Sequence, residues 1–309
     1  MDTVIYQKAY GKFAEKAVDE ATKELQRLEN LLSFFKDGSD IAQINSQAGK
    51  NWVKVSDDTF SVLETAIRVS EMSEGAFDMT IGGLTDYWRQ LKKFQKKPDK
   101  KVIETLLGLV NYRDIQLDKE NRLVKLSRSG QKIDPGGIGK GYAGEKVINV
   151  YRKHSISSAF INLGGNVVTI GKPYSRRHWV IGIRDPFSLK EEILGKVELR
   201  DQAVVTSGGY ERYYEIEGFK YHHILDPRTG FPAESGWRSV TIVAESSTQA
   251  DAISTAIFVS DWDETIRSIR LLPTIKVILI TDKQEILISR NLKENFKKTN
   301  QKRPIIYID

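Results

Sequence analysis

The chain of 309 residues is 40% hydrophobic and 28% charged, as expected of a soluble globular protein with one large domain or two intertwined ones. It has no cysteine and four histidines, which excludes disulfides, thiolate metal sites and cysteine nucleophiles and leaves hard cations bound by oxygens as the expected metals. The net charge of +6 suits an anionic substrate, an acidic partner or an anionic membrane surface, and is too small to indicate nucleic acid.

Hydrophobic periodicity in the first hundred residues predicts strands and amphipathic helices. Apolar residues recur at helical spacing from Phe13 to Leu32, and Ser56 precedes a second such pattern as an N-cap. The predicted elements are a strand at 4–10, a helix from 12 to 32, a short ordered piece at 41–45, a strand at 52–55, a helix after Ser56 and a helix around 87–94.

An aspartate stands in an apolar and glycine-rich stretch at residues 75–84. Asp78 must be either exposed in a cleft or hydrogen-bonded. Its carboxylate is therefore expected either to contact a polar group of a ligand or to cap the helix that follows. Six lysines then lie between Leu91 and Lys101, where a solvated loop or helix end is expected, without a catalytic role.

Residues 133–144 combine a carboxylate, five glycines and Lys140 before a predicted helix. A P-loop is excluded because Gly141 follows Lys140, and a dinucleotide-binding reading lacks an acidic residue near position 164. The segment is either an anion-binding loop at a helix N-terminus or a structural strand-to-helix turn.

Short apolar runs after residue 100 predict a largely antiparallel β region. The predicted elements are helices at 102–110, 141–152, 263–271 and from Ser246, Ser247 or Thr248 to 258, and strands at 114–117, 122–126, 159–163, 167–170, 179–183, 197–199, 203–206, 213–216, 241–244, 276–280 and 286–289.

Two further groups of polar residues are candidates for chemistry. His222 and His223 adjoin a turn that contains Asp226 and Arg228. A turn alone does not require this many ionisable side chains, so the group is favoured as a functional site. Asp251 and Thr255 are four residues apart and lie on one face of a helix. Their oxygens either bind Mg²⁺ or form hydrogen bonds within that helix.

Taken together, these segments resemble the ordered motifs of the FAD:protein FMN transferases, the ApbE family. The resemblance spans nearly the whole chain and rests on residues 1–3, 38–41, 44–45, 76–80, 134–143, 162–166, 206–212, 223–232 and 250–256. It implies an α+β fold related to the T-fold, one domain over residues 1–309, and Mg²⁺-dependent transfer of the FMN half of FAD to a Thr or Ser of an acceptor protein, with release of AMP.

The resemblance also implies roles for individual residues. It implies that Asp251 and Thr255 bind Mg²⁺ through their side chains and Gly137 through its carbonyl, and that His223 and Asp251 are catalytic. The residues expected to contact FAD are Met1, Ala76, Phe77, Asp78, Asp134, Lys140 and Ile224. Pro135, Gly83 and the Gly144-Glu145 pair depart from the usual family pattern and leave the local loop shapes open.

Two rival functions remain beside the transferase. The same metal site acting on water would hydrolyse FAD to FMN and AMP, and a non-enzymatic flavin-binding protein would use only the pocket. No apolar run approaches the ~20 residues of a spanning helix. Because family members commonly work outside the cytoplasmic membrane, an extracytoplasmic location with a membrane tether through a removed leader is expected, and a cytoplasmic one is the alternative.

Overall fold

The computed structural model describes residues 3–188, 190, 192–210, 212–216, 218–299 and 303–309. In these residues the α-helices are α1 (Ala14–Leu32), α2 (Asp40–Ser46), α3 (Asp57–Met72), α4 (Gly82–Phe94), α5 (Lys100–Leu107), α6 (Gly139–Lys153), α7 (Ser247–Val259) and α8 (Trp262–Leu271). The strands are β1 (Ile5–Tyr10), β2 (Val53–Lys54), β3 (Ile115–Asp118), β4 (Leu123–Leu126), β5 (Ser158–Leu163), β6 (Asn166–Ile170), β7 (Trp179–Arg184), β8 (Ile193–Leu199), β9 (Ala203–Gly208), β10 (Tyr213–Ile216), β11 (Phe219–His222), β12 (Trp237–Ala244), β13 (Lys276–Thr281), β14 (Ile286–Ser289), β15 (Phe296–Lys298) and β16 (Ile305–Ile308).

Side-chain caps fix where several helices begin. The predicted N-cap Ser56 is confirmed, because its Oγ accepts the Thr59 N–H at 3.2 Å. Ser246 caps α7 in the same way by accepting from Gln249 N–H at 3.3 Å, and such a cap contributes about 1 kcal/mol. No helix among the described residues has the length and apolar character needed to cross a membrane.

The predicted antiparallel β region is confirmed as an eight-stranded sheet in the order β1-β5-β6-β9-β12-β13-β14-β16. All its neighbours are antiparallel except β14 and β16. A three-stranded sheet, β15-β8-β7, shares an apolar cluster with it, in which Leu194 and Val197 pack with Val243 and Ile278. β11, β15 and β16 are absent from the sequence-based prediction.

Helix α7 packs against β6, β9 and β12 of the large sheet. Eleven of its thirteen residues are buried, so the helix is enclosed on nearly all sides rather than amphipathic. A polar side chain on such a helix must find partners inside the protein. This requirement applies to Asp251 and Ser254.

The chain divides into two compact units. Unit 1 comprises Met1–Gln26, Lys140–Gly208 and Ser235–Asp309 and contains the eight-stranded sheet. Unit 2 comprises Arg27–Gly139 and Gly209–Glu234. Its core includes Trp88 on α4, which packs with Leu225 and donates from Nε1 to Gly230 O at 2.8 Å.

Candidate active site

Asp251, in the second turn of α7, is the centre of a buried polar cluster in unit 1. The residue is 2% exposed. Its Oδ2 accepts the Gly141 N–H at 2.8 Å, and its Oδ1 accepts from Asn166 Nδ2 at 2.8 Å. Lys140 Nζ lies 3.4 Å from the same Oδ1 and its side chain is 28% exposed. The carboxylate is therefore held by two donors, and Lys140 places a cation beside it. The sequence-based alternative, a bond within the first turn of its own helix, does not describe these contacts.

Gly141 is the residue that lets the start of α6 approach α7 closely. A Cβ at this position would lie 2.1 Å from Ser247 O and 2.7 Å from Asp251 Cβ. Both distances are shorter than any real contact, so only glycine fits without movement of a helix. The Gly141 amide belongs to the first turn of α6, where N–H groups lack intrahelical acceptors. Asp251 supplies that acceptor and places its negative charge at the positive end of the helix.

A second carboxylate, that of Glu145, also links helices α6 and α7 through hydrogen bonds. Glu145 on α6 accepts from Thr248 Oγ1 at 2.6 Å and from Ser246 Oγ at 3.1 Å through its Oε2. It therefore satisfies donors at the N-terminus of α7. The local backbone shape at Gly144-Glu145, which the sequence did not predict, is thus set by contacts between helices α6 and α7.

Thr255 lies one turn after Asp251, half-buried, and its hydroxyl donates to the Asp251 carbonyl at 3.2 Å. Its Oγ1 also lies 3.4 Å from Ser207 Oγ, which is 2.8 Å from Ser254 Oγ. A hydroxyl that donates one hydrogen bond keeps two lone pairs for accepting or for coordination. The structure therefore places Lys140 beside the Asp251 carboxylate and Thr255 one helical turn away, where its hydroxyl bonds within the helix. Mg²⁺ binding by Asp251 and Thr255 stays a prediction.

The oxygens of this cluster fit a hard divalent cation. A carboxylate and a hydroxyl at positions i and i+4 are the donor types that Mg²⁺ prefers. Across the described residues, no group of three or more Asp, Glu, His or Cys side chains is arranged to hold a metal. An Mg²⁺ ion at this site would need waters or substrate phosphates as further ligands.

The glycine segment before α6 uses its backbone amides internally. Ile138 and Gly139 donate to Pro135 O at 3.0 and 2.8 Å, and Gly136 donates to Asp134 Oδ1 at 2.9 Å. These amides, like that of Gly141, are already committed to protein acceptors. Of the two sequence-based readings, these bonds describe the structural turn, and anion binding by the segment stays a prediction. The Gly137 carbonyl as a metal ligand and Asp134 as an FAD contact stay predictions.

Asp78 holds a turn of unit 2 together. Its Oδ1 accepts from Thr80 N–H at 2.7 Å and Thr80 Oγ1 at 2.6 Å, and its Oδ2 accepts from Tyr112 N–H at 2.7 Å. The alternative role as a helix cap is wrong, because the N-cap of α4 is Ile81 and makes no side-chain bond. Burial raises the pKa of the Asp78 carboxyl above its ordinary value, and the hydrogen bonds from Thr80 and Tyr112 act in the opposite direction.

The raised pKa gives Asp78 a defined effect on the pH dependence of stability. Because the folded state binds this proton more tightly, the contribution of Asp78 to the free energy of unfolding is complete below the unfolded pKa of about 3.9 and is lost as the pH rises through the folded pKa. We expect urea unfolding to show that the stability difference between the unaltered protein and Asp78→Asn shrinks as the pH rises.

Asp118→Asn is the control of opposite sign. Hydrogen bonds from Asn121 lower the pKa of the Asp118 carboxyl, so its contribution is present above the unfolded pKa and is lost as the pH falls. The stability difference for Asp118→Asn should therefore grow with rising pH. Equal slopes for the two variants would contradict the assignment.

The other predicted FAD contacts lie in different surroundings. Ala76, Phe77 and Ile224 are 1%, 4% and 8% exposed, so their side chains offer a ligand little surface. Their assignment stays a prediction, as does that of Asp78. Met1 lies outside the described residues.

The two histidines differ in their hydrogen bonding. His222 Nδ1 accepts the Ile224 N–H at 3.3 Å, so Nε2 carries the proton and donates to Ala233 O at 3.0 Å. His223 is exposed, and its Nδ1 lies 3.1 Å from Arg212 O. A carbonyl only accepts, so Nδ1 of His223 carries the proton and the lone pair of the neutral ring is on Nε2. His222 is thus a structural residue, and His223 has a tautomer suited to accepting a proton.

The adjoining turn is locked by its own charged residues. Asp226 Oδ1 accepts from Arg228 N–H at 2.8 Å, and Oδ2 accepts from Arg228 Nη2 at 3.0 Å. Thr229 and Gly230 donate to Asp226 O. These contacts account for the Asp and Arg of the motif as turn-forming residues.

The model of the ApbE family matches residues 1–279. This chain belongs to the ApbE family. The resemblance predicted from the motifs is thereby confirmed, and the α+β fold with it.

Relatives and solved structures of the ApbE family resemble the chain over most of its length. The FAD:protein FMN transferase of Treponema pallidum (strain Nichols) is 32% identical over 306 residues, covering 95% of this chain and 84% of the relative. That of Klebsiella pneumoniae (strain 342) is 34% identical over 265 residues, covering 86% and 82%. The ApbE protein of Thermotoga maritima superposes with a TM-score of 0.82 at 32% identity, over 95% of this chain and 94% of that one. The flavin transferase ApbE of Vibrio cholerae gives 0.83 at 21% identity, over 96% of both chains, which supports the fold.

Sequence reasoning assigned no role to two residues of this ApbE site. Asn166 was recognised only as part of a Leu-Gly-Gly-Asn motif, although it is 1% exposed and donates to Asp251. Gly141 was recognised only as part of a glycine-rich segment. The available signal was a polar residue at the first position of a buried strand, which needs an internal partner.

Proposed function

We propose that this chain transfers the FMN half of FAD to a Thr or Ser hydroxyl of an acceptor protein and releases AMP. Membership of the ApbE family supports this proposal, as do two relatives named FAD:protein FMN transferase at 32% and 34% identity. The observation that carries it is the buried Asp251 carboxylate, oriented by Gly141 and Asn166 and 3.4 Å from the Lys140 ammonium. A flavin-binding protein without catalysis needs no such oriented acid and cation.

The reaction breaks the phosphoanhydride bond of FAD and forms a phosphoester bond to the acceptor. The acceptor hydroxyl oxygen forms a bond to the FMN phosphorus, the bond from that phosphorus to the bridging diphosphate oxygen breaks, and AMP leaves with the electron pair. The hydroxyl proton passes to a base. Negative charge grows on the bridging oxygen, and preorganised positive charge is the largest source of rate enhancement in such transfers.

Each residue of the cluster has a role in that scheme. Asp251 and Thr255 would hold Mg²⁺, which neutralises the charge of the diphosphate and positions its oxygens. Lys140 would place its ammonium group beside the same phosphates. Asn166 and Gly141 keep the Asp251 carboxylate in one orientation, so that little reorganisation is needed at the moment of reaction.

We propose His223 as the base that accepts the hydroxyl proton, through Nε2. His223→Gln can still donate to Arg212 O but cannot accept a proton, so we expect kcat to fall by ~10²- to 10⁴-fold while the melting temperature stays close to that of the unaltered protein. His222→Gln is the matched control, since it disturbs the bonds to Ala233 and Ile224. It should cost about 1–3 kcal/mol of stability and leave the turnover of folded protein nearly unchanged. The reverse pattern in the two variants would exclude His223 as the base.

Mass spectrometry of an acceptor domain tests the function directly. After incubation of the domain with this protein, FAD and Mg²⁺, we expect the mass of FMN to be added at a Thr or Ser, with AMP released in equal amount. Rapid AMP release without acceptor would identify a hydrolase instead. FAD binding with neither product would identify a flavin-binding protein.

We also propose an extracytoplasmic location, because family members commonly act on flavinylated targets there. Protease treatment of intact spheroplasts from the native source should degrade the protein, with a cytoplasmic marker protected in the same sample. Protection equal to that of the marker would place it in the cytoplasm.

A further inference from the structure

The net charge of the chain is concentrated in one short segment of unit 2. Residues 89–101, the basic corner, contain Arg89, Asp99 and six lysines, and their formal charge of +6 equals that of the whole chain. The remaining residues are therefore neutral overall. All six lysines are exposed.

The basic corner is an ordered connection rather than a loose loop. Helix α4 ends at Phe94, and Gln95 adopts a left-handed conformation with φ 50° and ψ 44°. Lys96 N–H then donates to Leu91 O at 3.0 Å, and Asp99 N–H donates to Tyr87 Oη at 2.8 Å. Asp99 also caps α5 by accepting the Lys101 N–H. These bonds hold the lysines at a fixed corner between two helices.

Aromatic rings stand among the charges. Phe94 is 59% exposed, and Lys93 Nζ lies 5.4 Å from the centre of its ring. Phe35 is 60% exposed, and the Arg89 guanidinium lies 4.4 Å from the centre of that ring. Exposing a large aromatic ring to water is energetically unfavourable. Two such rings within a cationic surface therefore indicate a partner that offers both anions and an apolar layer.

We propose that the basic corner binds the surface of an anionic lipid bilayer, with its lysines at the phospholipid phosphates and Phe94 in the boundary below them. Clusters of four to eight Lys or Arg are typical of binding to anionic lipid, and an exposed Phe beside them adds an apolar anchor. Protein interfaces, by contrast, are depleted in lysine and need a shaped surface. The basic corner is rich in exposed lysine, which favours lipid over an acidic protein.

The ion pairs within the corner do not remove this charge. Arg89 Nη2 lies 3.1 Å from Asp86 Oδ1, and Lys100 Nζ lies 3.7 Å from Glu104 Oε1, with the Lys100 and Glu104 side chains 81% and 60% exposed. The exposed Lys100–Glu104 pair is screened by water and is easily exchanged for a lipid phosphate. The Asp86 side chain is only 21% exposed, so its pair with Arg89 is kept and the proposal rests on the lysines. The basic corner is thus ready to bind an anionic surface without a conformational change.

Vesicle co-sedimentation tests the proposal with the full chain. We expect binding to vesicles of phosphatidylglycerol mixed with phosphatidylcholine, no binding to phosphatidylcholine alone, and loss of binding as salt rises past ~0.1 M. Replacing Lys92, Lys93, Lys96 and Lys97 by Gln should lower the partition coefficient on the order of 100-fold. Phe94→Ser should lower it on the order of 10-fold with the charge unchanged.

A matched variant separates the corner from net charge. Replacing the exposed Lys23, Lys50, Lys153 and Lys283 by Gln removes the same charge elsewhere and should leave vesicle binding within about threefold of the unaltered protein, since only charges near the membrane contribute. Equal losses in the two quadruple variants would overturn the proposal. So would retention on immobilised polyglutamate without binding to phosphatidylglycerol vesicles, which would identify an acidic protein as the partner.

Discussion

If Asp251 holds Mg²⁺ as proposed, its replacement by asparagine is expected to lower Mg²⁺-dependent transfer by at least ~10³-fold, because the same carboxylate also faces the Lys140 ammonium. It should also lower the free energy of unfolding by about 1–3 kcal/mol. Both carboxylate oxygens accept from N–H donors, so an amide in either orientation points its own NH₂ group at a donor. Initial rates over a Mg²⁺ series and urea unfolding measure the two effects separately.

The double variant Asp251→Asn with Asn166→Asp separates folding from catalysis. In the double variant, the aspartate at position 166 can accept a hydrogen bond from the asparagine at position 251. This restores one donor–acceptor pair, but the negative charge now lies at position 166 instead of 251. We expect stability to recover by roughly 1 kcal/mol and activity to stay lost. Recovery of activity together with stability would show that the cluster needs only its charge, and not a carboxylate on α7.

Gly141→Ala is expected to have the second large effect. The added methyl group would overlap Ser247 O and Asp251 Cβ, so α6 and α7 must separate. Overpacking of this kind costs about 1–3 kcal/mol, and the shift would lengthen the bond from Gly141 N–H to Asp251. A displacement of a catalytic group by about 1 Å lowers rates on the order of 100-fold. Thermal unfolding and transfer assays measure the two losses.

Gly139→Ala is the matched control in the same helical turn. A Cβ at Gly139 meets no atom within 4 Å, and alanine is favoured over glycine in a helix by up to ~1 kcal/mol. Its stability should equal or exceed that of the unaltered protein, with transfer retained. If both alanine variants lost activity to the same extent, the close approach at Gly141 would not be the cause.

Local sequence signals predicted the parts of the fold that depend on neighbouring residues. The cap at Ser56 and the helical spacing from Phe13 to Leu32 are local, and α1 and α3 were predicted within two residues of their observed starts. Strand β16 was missed because its pairing with β14 is parallel and is specified by a neighbour rather than by a turn. The separation into two units was likewise not specified by any linker.

The candidate site was predicted in its residue types but not in its contacts. The i and i+4 spacing placed Asp251 and Thr255 on one face, as a helix requires. The partners of Asp251 come from β6 and α6, and no pattern within α7 encodes them. For the glycine segment the sequence left an anion-binding loop and a structural turn as alternatives, because it does not show that several of the amides have acceptors within the protein.

The interleaved order of the two units has a consequence for how the protein is made. Strand β1 near the N-terminus pairs with β5, Ile5 opposite Leu163, and the intervening chain includes most of unit 2. During translation, the first strand therefore leaves the ribosome long before its neighbour exists, and the sheet is completed only when β16 emerges. Such distant pairing slows folding and leaves unpaired strand edges exposed in the meantime. In nascent chains stalled before residue 158, the emerged part of unit 1 should accordingly be unfolded and accessible to chaperones.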